Sequence, residues 1–308
     1  MWEKQYHIYN VDARLDWNKS HAQLPVADVL NDRLRIYYSS RNSLGQSNIS
    51  FIEVDKDDPR KIIFECNKTL LNLGSLGSFD DSGIMPSSII NVGEYKYLYY
   101  VGWTTRQTVP YQNAVGLAIS YDGGSVFQKV SEGPVISINH IEPYFSGTAF
   151  VMFEMGVFKM WYLSCTKWEI IDGRPEPFYN MKYAESSDGI IWKQTGKVSI
   201  ELDDNEGGIV SASVIKEDGI YKMWYGKRGK NNFRNNINNS YRIGYAESID
   251  GITWERKDNL SGIDISLSGW DSEMISYPCV YRIGSSLMML YNGNGFGRTG
   301  FGYAVKRQ

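Results

Sequence analysis

A chain of 308 residues, 42% hydrophobic and 22% charged with a formal net charge of −3, has the make-up of an ordinary globular protein, long enough for one large core or two ordinary domains. It lacks the basic excess of a nucleic-acid binder, and no apolar run approaches the roughly 20 residues of a membrane span. Nothing resembling a signal peptide stands in the opening MWEKQYHIYNVDARLDW, so a cytoplasmic location is expected, and three widely spaced cysteines (Cys66, Cys165, Cys279) outside any CxxC pair suggest neither a disulfide framework nor zinc.

The first predicted element is a strand over KQYHIYNV (4–11). Five related stretches follow in chain order, each an apolar run opened by a small residue, Pro or Tyr-Pro, then a polar turn and a Tyr/Trp-rich or Leu/Met-rich run. They are PVADVLNDRLRIYYSS (25–40), PSSIINVGEYKYLYYVG (86–102), TAFVMFEMGVFKMWYLS (148–164), SASVIKEDGIYKMWYGK (211–227) and YPCVYRIGSSLMMLYNG (277–293). Between them a second pattern recurs: KYAESSDGIIWKQ (182–194), GYAESIDGITWER (244–256) and a looser copy, GLAISYDGGSVFQ (116–128). Their aspartates, Asp122, Asp188 and Asp250, recur at spacings of 66 and 62 residues, the signature of a repeat architecture. Each copy reads as a strand, an Asp-Gly turn and a second strand opened by an aromatic, which is a hairpin signal. Two hairpins per unit and five units of about 62 residues predict an all-β, five-bladed β-propeller with four antiparallel strands per blade, as one domain over 1–308. The last unit, ending GFGYAVKRQ, is one strand short, and the N-terminal strand is expected to supply it and close the ring. Aromatic content of 14% suits pleated, half-buried surfaces and also suits sugar-binding walls.

Antiparallel geometry brings residues just before strand one and just after strand two of a blade to the same face, and sends the Asp-Gly turns to the opposite one. The repeated aspartates are therefore expected to bond local backbone amides, leaving chemistry to positions where the repeats differ. Before strand one, NKSHAQLP (18–25), SFDDSGIMP (78–86), HIEPYFSGT (140–148), DDNEGGIVS (203–211) and GWDSEMISYP (269–278) carry Asp80 or Asp81, Glu142, Glu206 and Glu273, with His21 in the matching place of the first blade. Four carboxylates converging on one axis would shift one another's pKa. After strand two, each blade offers a cation: Arg41, Arg106, Lys167, Lys227 with Arg228, and Arg298, with Trp103 and Trp168 among them and Asn292 and Asn294 on the last rim. Guanidinium forks suit carboxylate or phosphate.

Five blades carrying YAxSxDGxxW hairpins resemble the propeller glycosidases of the invertase, levansucrase and arabinanase kind and the related glycoside phosphorylases, over nearly the whole chain. SYDGGSVF also resembles the Asp-box of sialidases, whose propellers have six blades. The resemblance implies a glycosidase acting on a glycan or sugar conjugate, with a Glu from the third blade as acid and an Asp from the second as transition-state stabiliser. By position these are Glu142 and Asp81, or Asp80 beside it; the base lies among Asp16, Glu206 and Glu273, because the expected first-blade Asp is replaced by His21 and Gln23, and the Asn-Asp-Pro and Arg-Asp-Pro signatures are missing. Trp103 and Trp168 would stack on sugar faces, while Arg106 and Arg228 would hold an acidic or phosphoryl group. A phosphorylase or sugar transferase with an anion subsite at His21 and the basic rim, and a non-catalytic carbohydrate-binding propeller, are the alternatives. No cofactor or metal is expected: neither a Walker nor a Rossmann sequence occurs, GNGFG (293–297) reads as a tight turn, and His140 with Glu142 offers only two ligands. NNFRNNINN (231–239) reads as a polar loop and a candidate lid.

Overall fold

The computed structural model describes residues 1–306, and among these the chain forms twenty strands. After β1 (Glu3–Tyr9), blade I comprises β2 (Ser20–Val29), β3 (Arg33–Arg41), β4 (Ser47–Asp55) and β5 (Ile62–Glu65), and blade II comprises β6 (Gly83–Val92), β7 (Tyr95–Thr105), β8 (Tyr111–Ser120) and β9 (Gln128–Lys129). Blade III holds β10 (Ser146–Glu154), β11 (Val157–Ile171), β12 (Arg174–Ser186) and β13 (Lys193–Ile200). Blade IV holds β14 (Glu206–Glu217), β15 (Ile220–Gly229), β16 (Arg242–Ser248) and β17 (Glu255–Arg256). Blade V has β18 (Ser276–Ile283), β19 (Ser286–Asn292) and β20 (Phe301–Lys306), and β1 pairs antiparallel with β20 as its fourth strand, Glu3 opposite Val305 and Tyr9 opposite Phe301. The inner strands meet in the cyclic order β2, β6, β10, β14, β18 and back to β2, so the five-bladed ring is closed by its N-terminal strand.

Each blade junction has its own apolar core, and the aromatic pair on the second strand explains how two junctions are filled at once. Alternation sends Tyr37 toward blade II and Tyr38 toward blade V, and likewise splits Tyr99 from Tyr100 and Trp161 from Tyr162. The forward-facing member latches onto the next blade's Asp-Gly turn: Tyr37 Oη donates to Gly124 O, Tyr99 Oη to Gly189 O and Trp161 Nε1 to Gly251 O, all at 2.8 Å. The repeated Trp closes the same turn from within, Trp192 Nε1 donating to Gly189 O at 3.1 Å and Trp254 Nε1 to Gly251 O at 3.0 Å.

The turn aspartates do what their position predicted. Asp188 Oδ1 accepts from the amides of Ile190 and Ile191 at 2.8 Å, Asp250 Oδ1 from Ile252 and Thr253 at 2.7 and 2.8 Å, and Asp122 Oδ1 from Ser125 and Val126 at 3.0 and 3.1 Å. Gly189 and Gly251 follow at φ 75°, a left-handed conformation that a Cβ would strain.

All five inner strands carry a register shift near their start, between Gln23 and Val26, Pro86 and Ser88, Ser146 and Ala149, Val210 and Ser213, and Ser276 and Cys279. At three of these bulges a non-glycine residue sits left-handed: Leu24 (φ 56°), Ser211 (φ 50°) and Tyr277 (φ 56°). Such backbone costs about 1–3 kcal/mol per residue and persists only where neighbours hold it. At two of the three a neighbouring blade does so, Asn292 Oδ1 accepting from Leu24 N at 2.8 Å and Thr148 Oγ1 from Ser211 N at 2.9 Å. The bulges re-aim side chains at the strand starts into the mouth of the ring.

Candidate functional site

The mouth of the ring is a funnel-shaped cavity of about 410 Å³. Bulged inner strands contribute Gln23, Leu24, Thr148 and Tyr277; the ends of second strands contribute Arg41, Trp103 and Arg228; and the starts of third strands contribute Tyr111, Asn113, Tyr179 and Tyr241. The first two groups lie on the face that antiparallel geometry assigned to them. The third was missed, although the same rule brings the start of strand three beside the end of strand two, so that the tyrosines opening YQNAVG, YNMKYA and YRIGYA were there to be read. Phe233 and Arg234 from the Asn-rich loop and Phe296 from the last blade complete the wall.

Arg228 is the most deeply placed cation of this wall. Only 2% exposed, it donates through Nε to Tyr179 Oη (3.0 Å), through Nη1 to Gly229 O (3.0 Å) and through Nη2 to Pro177 O (2.6 Å), and its guanidinium stacks 3.9 Å from the Phe233 ring centre. Tyr179 and Tyr241 share a hydroxyl hydrogen bond beside it. Among the described residues no carboxylate pairs with Arg228 and none lines the funnel. Across the mouth, Arg41 has its Nε screened from water with no hydrogen-bond partner, and its Nη2 has only a 3.5 Å contact with Gln23 Oε1. Burial, followed by the nearby Arg41 and Arg298 charges, lowers the pKa of His21 to about 4, so His21 is neutral at pH 7.

The acids expected on the axis lie elsewhere. Glu142, 2% exposed, accepts from Tyr162 Oη (2.8 Å) and Ser164 Oγ (2.7 Å), with Lys182 Nζ at 3.5 Å; Asp80, 1% exposed, accepts from Tyr100 Oη (3.0 Å), Ser78 Oγ (2.9 Å) and Lys129 Nζ (2.6 Å). In blade V Asp271 takes Tyr291 Oη (3.0 Å) and Lys4 Nζ (2.6 Å), and in blade IV Asp258 takes Tyr225 Oη (2.6 Å), Lys227 (2.9 Å) and Arg256 (2.6 Å). Blades II to V thus repeat one clasp: a carboxylate held between the backward-facing tyrosine of the second strand and a cation of the third or outer strand. Asp80, Glu142 and Asp271 precede their inner strands by a few residues, where the chain is still between blades, which is why alignment on the strand start failed to place these acids.

The remaining candidates are also accounted for by position. Asp81 stays at its loop, accepting from Gly77 N (3.0 Å) and Ser82 Oγ (2.8 Å); burial pushes its pKa up, but hydrogen bonds from Thr104, Gly77 and Ser82 outweigh that and hold it below the usual carboxylate range. Glu206 is engaged by Arg256 (2.7 Å) and Lys227 (3.2 Å), while Glu273 and Asp16 are exposed. Asp203, Glu206 and Asp258 lie close enough together to share an ion, but each is already paired with Lys227 or Arg256. Lys167 pairs with Glu169 at 2.6 Å on the surface, and Trp168 packs its ring 5.6 Å from those of Tyr111 and Phe145, supporting the wall from behind. Arg106 lies in a side groove with Gln112, which meets the funnel at Asn113. Asn292 is a buried clamp donating to Ala22 O (2.7 Å) and Gly300 O (2.8 Å), and Asn294 accepts from Glu273 N (2.8 Å). Arg234 ties the Asn-rich loop to Glu176 of blade III.

Solved glycoside hydrolases share this five-bladed fold. A glycoside hydrolase superposes with TM-score 0.71 at 16% identity over 98% of this chain and 91% of its own, and a thermostable family-43 glycoside hydrolase with 0.69 at 17% over 94% and 88%. A complex of BT0996 with RGII gives 0.69 at 16% over 98% and 91%. At these identities the shared property is the five-bladed fold. No family model matches the chain. In sequence it is 37% identical over 306 residues to the uncharacterized proteins MT1551 and Rv1502 of two Mycobacterium tuberculosis strains, covering 99% of this chain and 98% of each relative, and it belongs to their family.

Proposed function

We propose that the funnel binds a sugar through its aromatic walls and holds an acidic or phosphoryl substituent on Arg228, making this chain a carbohydrate-directed propeller whose ligand is anionic. The observation that carries this reading is the buried guanidinium without a carboxylate partner. Arg228 is compensated only by neutral oxygens and aromatic rings, so two of its five N–H donors and its full charge are left for an oxyanion arriving in the funnel. Trp103, Tyr111 and Tyr277 offer flat faces of the kind that pack against sugar rings, and the likeness to glycoside hydrolases and to the complex named for RGII supports a carbohydrate as the body of the ligand. Hydrolysis by a facing carboxylate pair receives no such support, since Glu142 and Asp80 are engaged in clasps between blades.

A thermal-shift series with neutral, acidic and phosphorylated monosaccharides tests the reading. Acidic or phosphorylated sugars should raise the melting temperature and lose that effect as salt screens the pair, whereas their neutral parents should give little. Equal stabilisation by neutral sugars, or none by any anionic one, would sink it.

A further inference from the structure

We infer that the funnel contains a second, separate oxyanion subsite at Arg41, so that its full complement is two anionic groups about a sugar-sized body. This rests on the reading of the funnel as an anionic-sugar site and adds to it the number and placement of the charges. Arg228 belongs to blade IV and is fixed by blade III at Pro177 and Tyr179, while Arg41 belongs to blade I and faces Tyr277 and Arg298 of blade V. The two guanidiniums therefore line one cavity from non-adjacent blades, on β3 and β15.

Arg41 is incomplete as it stands. Its Nε is screened from water and unbonded, its Nη2 has only the 3.5 Å contact with Gln23, and no carboxylate neutralises it among the described residues. The charge nearest to it in blade V is also positive, Arg298, which is exposed and without a salt-bridge partner among the described residues. Burial first, and Arg298 after it, lower the Arg41 pKa against an upward pull from Tyr277. Arg41 thus presents to the cavity a guanidinium with no carboxylate partner, and a phosphoryl or carboxylate oxygen would engage the paired donors of its fork. The second anion has two possible sources with the same chemistry: another charged group on the same sugar, or free inorganic phosphate bound beside a singly charged sugar.

Titration calorimetry on the full chain at pH 7, with inorganic phosphate as the first probe, tests the count. Two phosphate sites are expected in the wild type and one in Arg41→Gln, with Arg41→Lys recovering part of the second. Arg298→Gln, at an exposed position, should weaken the same site several-fold and serves where an Arg41 variant misfolds. Glucose 1,6-bisphosphate against glucose 6-phosphate then separates the sources. A bisphosphate advantage of about tenfold or more that Arg41→Gln abolishes assigns the second anion to the sugar, and simultaneous binding of glucose 6-phosphate and phosphate assigns it to the free ion. A single phosphate site unchanged by Arg41→Gln and Arg298→Gln overturns the second subsite while leaving the Arg228 reading intact. Absence of binding by every anionic probe overturns both.

Discussion

Glu142 shows how one residue type can carry two incompatible meanings. Its carboxylate, which position made a candidate acid, receives a tyrosine and a serine hydroxyl inside the junction between blades II and III. Glu142→Gln should therefore lower the melting temperature. Tyr162→Phe should do so by a similar few degrees, since an unsatisfied buried partner costs about 1–3 kcal/mol. Both variants should keep anionic-sugar binding, and loss of binding with unchanged melting would restore Glu142 to the site. His21 gives a pH signature. Its folded pKa of about 4 lies below the ordinary 6.5, so between those values the unfolded chain binds more protons. Stability from this group is complete above pH 6.5 and declines as pH falls toward 4; melting curves across that range should slope less in His21→Gln. The cations that line the funnel from the second strands, Arg41 and Arg228, were legible because strand ends could be counted. The clasp acids were misplaced because a linear sequence does not show where the chain passes from between blades to the axis, although the tyrosine in YY and WY pairs signalled a hydroxyl in need of an acceptor.

At the scale of elements, the hairpins were the most legible part of the chain, because Tyr-Ala-Glu-Ser-x-Asp-Gly-Ile-x-Trp names its own hydrogen bonds. The Asp accepts two amides, the Gly turns left-handed, and the Trp returns to the Gly carbonyl. What the sequence could not display was the third partner, since Tyr99 reaches Gly189 from 90 residues away. Asp188→Ala should lower stability by breaking the turn and loosening the latch to blade II together; a double-mutant cycle with Tyr99→Phe should give less than the sum of the single losses. Additive losses would mean that turn and latch are independent. Amides from Ile191 and Ile190 hold the Asp188 carboxyl below its usual range, and Thr253, against some burial, does the same for Asp250. The unfolded chain takes up these protons first on acidification, so the turns contribute fully above about pH 4 and are lost as pH falls through the depressed values.

Across the whole molecule, the blade count and the place of the N-terminal strand followed from dividing the chain by its repeats, whereas the funnel's character depended on side chains from strands far apart. Removing residues 1–12 should leave blade V with three strands and an uncovered β20. It should also strip Lys4 from Asp271, so the truncated chain is expected to unfold less cooperatively and to self-associate, read by size-exclusion chromatography. A monomer with unchanged melting would show the closure to be dispensable.

The pairing of β1 with β20 also sets an order of events. Blades I to IV draw their strands from neighbouring stretches and can form as each stretch becomes available, but the fifth needs both β1 and β20. During synthesis β1 must wait, without its partner, for blades I to IV and then β20 to emerge, and a contact of such long sequence separation forms late and slowly. Ring closure is then a checkpoint on synthesis as far as β20: a chain released before it lacks the strand that receives β1, and keeps an open edge.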